Sequence, residues 1–86
     1  MKHPVWIKNY EENFAQLAKE IGDLRYDSLA EFLHLLGQKI TEDGQKDARR
    51  GRVKLATSLE NAAAEIMKSA KEIEVAWRIS KPHMKG

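Results

Sequence analysis

The sequence predicts an all-α fold: a three-helix antiparallel bundle or helical hairpin with a long C-terminal helix. Three observations carry this reading. Apolar residues recur at helical spacing in three separate segments. No segment alternates apolar and polar residues as a half-buried strand does. Only two prolines interrupt 86 residues, a length that makes a single helical domain, 1–86.

The first pattern is Ile7, Tyr10, Phe14, Leu17, Ile21 and Leu24, one stripe of a helix at steps of three and four. Pro4 suits a first helical turn, where its missing N–H is not needed. Gly22 suits the position just past a helix end. This predicts a helix over about 4–21.

The second pattern is Leu29, Phe32, Leu33, Leu36 and Ile40. Ser28 to Glu31 reads as a capping box, with the Ser hydroxyl and the Glu carboxylate satisfying each other's backbone N–H groups. Gly44 is the predicted stop, so the helix covers about 28–43. Gly37 lies inside it and costs about 1 kcal/mol against alanine unless close packing compensates.

The third pattern is longer: Leu55, Leu59, Ala62, Ile66, Ser69, Ile73, Ala76. Beside it runs a seven-residue repeat, Ala56, Ala63, Ala70, Trp77, a seam that admits a close neighbour. Asp47 is the expected N-cap, and Pro82 disfavours helix at Lys81. The helix is predicted over about 48–80, followed by a tail, 81–86.

At 1.5 Å per residue the first two helices span roughly 25 Å each and the third roughly 45–50 Å. Short connections make neighbours antiparallel. Nearly half of the third helix is then left uncovered, although its apolar stripe continues through Ile73, Trp77 and Ile79. Exposed apolar stripes of that length mark a partner surface. The expected partner is a second copy, forming a homodimer through Ala63, Ala70, Ile73 and Trp77.

No cysteine is present, so no disulfide or thiolate metal site exists. No apolar run approaches the ~18 residues of a membrane span, and the first residues lack a signal core. A cytoplasmic protein without membrane contact is expected. His3, His34 and His83 share no ligand spacing, the glycines form no phosphate loop, and no nucleophile has a local base. No catalytic residue, metal or cofactor is assigned from the sequence.

Charge is unevenly placed. Residues 9–43 carry a net of −5 and residues 44–59 a net of +4. The basic stretch holds Arg49, Arg50, Arg52 and Lys54, at the predicted start of the third helix, where the dipole disfavours cations. Free N–H groups and guanidinium groups together suit an anion or nucleic acid. The plainer reading pairs these cations with acids such as Glu42 and Asp43, in surface pairs worth about 0–1 kcal/mol each.

At the other end of the long helix, Arg78 precedes His83 by five residues. This Arg-x4-His spacing resembles the motif of the helical HEPN ribonucleases. Ile79 stands where that family usually has a polar residue, and Pro82 directly precedes the histidine. The resemblance covers six residues and implies a small helical ribonuclease using Arg78 and His83.

The leading expectation is a non-enzymatic interaction or regulatory module acting through helix surfaces and self-association. Nucleic-acid or phosphate binding at the basic stretch 46–54 is the alternative, and the ribonuclease comes third.

Overall fold

The computed structural model describes residues 3–83. It is all-α, with α1 over Phe14–Gly22, α2 over Tyr26–Arg49, α3 over Val53–Ser80 and a short 3₁₀ turn at Lys81–His83. α2 and α3 form an antiparallel hairpin packed along its length, and the backbone of α1 stays further from both than they do from each other.

The hairpin is held by a seam of small residues. Ala30, Gly37 and Gly44 on α2 are buried, and so are Ala56, Ala63 and Ala70 on α3. Both sets repeat every seven residues, so each keeps one face toward its partner. The approach is close. A Cβ added to Gly44 would lie 3.4 Å from the Ala56 carbonyl oxygen and the Leu59 Cβ, and one added to Gly37 would lie 3.0 Å from Met67 Sδ.

This corrects the second helix. Gly44 does not stop it, because its missing side chain is what the neighbouring helix occupies. α2 therefore runs on to Arg49, 24 residues or about 36 Å, against about 42 Å for α3. The two are nearly matched in length, so α3 is not left half uncovered along its axis.

The start of α2 differs too. The helix begins at Tyr26, ahead of the expected capping box, and Ser28 lies in its first turn. There the Ser28 N–H donates to Asp27 Oδ1 at 2.9 Å. Asp47 is likewise no N-cap, since it belongs to the last turns of α2. The corner is Arg50, Gly51, Arg52, with Gly51 at φ 80, in the left-handed region that glycine enters without strain.

The expected helix over 4–21 is realised only from Phe14. Asn9 and Glu12 both have positive φ, and successive turns close from Tyr10 N–H to the Ile7 carbonyl and from Asn13 N–H to the Tyr10 carbonyl. Asn13 then caps α1, its Oδ1 accepting from the Gln16 N–H at 3.2 Å. Steps of three fit a chain of tight turns as well as a helix, so Ile7 and Tyr10 keep helical spacing outside any helix. The Tyr10 hydroxyl donates to Glu20 Oε1 at 2.9 Å, tying the turns to α1. That bond to a carboxylate raises the Tyr10 pKa above the usual tyrosine value.

The N-terminal segment spans the hairpin. His3 shares a cleft with Asp43, Lys46, Asp47, Arg50 and Arg52 at the corner. At the other end, Gly22 to Tyr26 share a cleft with Ser80. Of the tail expected over 81–86, residues 81–83 form the 3₁₀ turn and 84–86 lie outside the described residues.

Two substitutions test this account by chemical denaturation. Ala63→Leu, at a seam position only 2% exposed, is expected to cost about 1–3 kcal/mol or more by forcing the helices apart. Gly51→Ala is expected to cost about 1–2 kcal/mol through its left-handed backbone alone, because nothing lies within 4 Å of the added methyl.

Candidate functional site

The seam divides the hairpin into two faces. Residues turn about 100° per step along each helix, so those flanking the seam fall to one side or the other. His34 fixes how the sides match. Its Nε2–H donates to Glu74 Oε1 at 2.7 Å, and its Nδ1 lies 3.4 Å from Met67 Sδ. The His34 side of α2 therefore joins the Met67 and Glu74 side of α3.

That face is polar. With His34 it carries Asp27, Gln38 and Thr41 from α2, and Glu60, Lys71 and Arg78 from α3. The opposite face takes Leu29, Leu33, Leu36 and Ile40 from α2, and Leu55, Leu59, Ile66 and Ile73 from α3. These side chains are half-buried or exposed, with Leu55 46% and Leu36 37% exposed. No large side chain among the described residues is fully buried. The fully enclosed part of the core is alanine and glycine alone.

The residues expected to form a dimer interface therefore separate. Ala63 and Ala70 are enclosed by α2 within the same chain, at 2% and 0% exposure. Ile73 and Trp77 stay half-buried. Trp77 ends the seam under Arg25, whose guanidinium carbon lies 5.1 Å from the ring centroid. Such a cation–π contact contributes about 0.5–1 kcal/mol at an exposed site. The same guanidinium holds Asp27 with two bonds, at 2.7 and 2.8 Å, and this bidentate pair lowers the Asp27 pKa below the usual aspartate value.

At the corner, the arginines sit differently from their expected place. Arg49 ends α2 and Arg50 follows it, so both lie at a helix C-terminus, where the dipole favours cations. The local conflict read from the sequence disappears for Arg49 and Arg50 once the helix boundary moves, and persists for Arg52 and Lys54 at the start of α3. Arg52, the first residue before α3, donates from Nη1 to Asp47 Oδ1 at 3.2 Å. Lys39 pairs with Asp43 one turn further along α2, which lowers the Asp43 pKa. Among the described residues Arg49, Arg50 and Lys54 have no acidic partner. The cleft beside them encloses about 70 Å³ and is lined by two acids as well as by bases.

Arg78 lies in the last turn of α3 and His83 in the 3₁₀ turn, both exposed. Among the described residues no group of three or more His, Cys, Asp or Glu side chains is placed to hold a metal ion. No described helix is long and apolar enough to cross a membrane. No family model, curated protein or solved structure matches the chain.

The two lowered carboxylates set a pH dependence. A group whose folded pKa is depressed contributes stability that is present above its unfolded value and lost as pH falls through the folded one. Stability to urea is therefore expected to decline as pH drops through and below the ordinary aspartate range, with Asp27→Asn and Asp43→Asn each flattening that decline.

Proposed function

We propose that this protein is a non-enzymatic helical interaction module that works as a homodimer, with the cytoplasm as its expected compartment. The observation that supports the reading is the open hairpin itself. The chain exposes 6993 Å², where a compact chain of this mass exposes about 5,200 Å². Its radius of gyration is 15.6 Å and its extents are 50 × 29 × 14 Å, against about 12 Å for a compact chain of this length. The elongated chain leaves Trp6, Ile7, Phe14, Leu55 and Ile79 exposed, and exposed apolar patches mark association surfaces. Sedimentation at tens of micromolar is expected to give twice the 9.9 kDa chain mass; a monomer would remove the reading.

A second reading is favoured by the unpaired cations Arg49, Arg50 and Lys54, with Arg52 only partly neutralised: an anion or nucleic-acid contact at the corner. Three phosphate contacts give a salt dependence of log K against log salt near −3, at roughly −0.9 per contact. Binding to a DNA or RNA duplex at low salt with that slope, lost in Arg49→Ala/Arg50→Ala, supports this reading. No binding at low salt ends it. The ribonuclease reading of Arg78 and His83 predicts RNA cleavage abolished by His83→Ala, and unchanged RNA in the presence of the wild-type protein disposes of it.

A further inference from the structure

We infer that residues 3–24 form a strap over the leucine and isoleucine side of the hairpin, and that the strap swings away as one unit while α2 and α3 stay paired. The strap sets how much apolar surface a single chain offers to water. The inference goes beyond the dimer reading and does not depend on it.

The course of the segment follows from its two ends. Leu29, Leu33, Leu36 and Ile40 lie on one side of α2, and the same steps of four and three continue through Asp43, Asp47 and Arg50. Those last three share a cleft with His3. On α3, Leu59, Ile66 and Ile73 continue by seven to Ser80, which shares a cleft with Gly22 to Tyr26. Both ends of the segment therefore sit on the leucine side, and the chain between them runs along it. Leu17 and Ile21 are half-buried and one turn apart, which marks the inward side of α1. Trp6, Ile7 and Phe14 are exposed on the outside.

The strap is weakly held. No residue of α1 is buried. Its side-chain hydrogen bonds are internal, from Asn9 to Glu11, from Gln16 to Asn13, and from Tyr10 and Gln16 to Glu20. Among the described residues no ion pair joins it to the hairpin. The corner adds little charge, because Asp43 is already paired with Lys39 and Asp47 with Arg52. Asn9 and Glu12 hold left-handed backbone, which costs a residue that carries a side chain. The joint is loose as well. A Cβ added at Gly22 would meet nothing within 4 Å, and the cleft between this joint and Ser80 encloses about 330 Å³.

The pairing contacts of the hairpin lie apart from the strap. They are the alanine and glycine seam and, on the opposite side, His34 with Glu74. Nine residues are too few for a helix to persist alone in water. α1 therefore melts when the strap leaves, and its amides report the opening.

Amide hydrogen exchange of the full chain tests this. The amides of Leu17 to Asp23 are expected to exchange together, at least about tenfold faster than those of Gly37, Ala63 and Ala70. The chain has no cysteine, so His3→Cys with Arg50→Cys accepts a short thiol crosslinker within one chain and ties the strap shut. That link is expected to slow α1 exchange at least about tenfold and to leave the seam unchanged. Leu17→Glu, which sets a charge on the inward side, is expected to speed α1 exchange and also to leave the seam unchanged.

Equal exchange in α1 and the seam overturns the inference, because strap and hairpin then open together. α1 exchange that the link does not slow overturns it too, because the helix then frays in place. Failure of the link to form within one chain overturns the closed strap itself. Loss of seam protection in Leu17→Glu overturns the separate opening, because the hairpin then needs the strap.

Discussion

The rest of the structure depends on how closely α2 approaches α3. Glycine and alanine at every seventh position let two backbones lie nearer than leucine would allow, and dispersion contacts then form between the helices themselves. The cost is that little apolar surface is enclosed by the seam. The large apolar side chains of α2 and α3 are pushed outward to the flanks, where none is fully buried. The small seam and the large side chains on its flanks are thus two results of one choice of residues.

The same choice explains why the ion pairs are peripheral. Arg25 with Asp27, Lys39 with Asp43 and Arg52 with Asp47 each join residues close in sequence. They trim helix ends and corners and contribute little to holding α2 against α3. His34 with Glu74 is the exception, reaching between the helices on the polar face. It reads out which side of the seam is which, and the apolar face is identified by being the other one.

Helix content and the end of α3 at Ser80 are legible because leucine, isoleucine and proline act locally there, whereas the corner lies at Arg50–Arg52 and not between 43 and 48, so α3 starts at Val53. The length of α2 was not legible, because Gly44 has two meanings. Alone, a glycine after an apolar stripe reads as a stop. Set in register with Ala30 and Gly37, it is the third member of a seam that mirrors Ala56, Ala63 and Ala70. The α3 half of that repeat, read alone, suggests a surface for another molecule. The extent of the first helix was misread because Ile7 and Tyr10 keep helical spacing while Asn9 and Glu12 take left-handed backbone. The cations Arg49, Arg50, Arg52 and Lys54 gather at the corner, but their electrostatic setting depends on which helix each one adjoins.

A repeating seam has one further property. Small residues at equal intervals make each rung resemble the next, so sliding α3 by seven residues along α2 would again set alanine against glycine. The seam supplies closeness but cannot by itself choose among alignments one repeat apart. The choice falls to Arg50, Gly51 and Arg52, a connection too short to let α3 start anywhere else. Gly51 therefore acts as the ruler of the hairpin: it decides which residues meet, and so which leucines and isoleucines form one continuous surface.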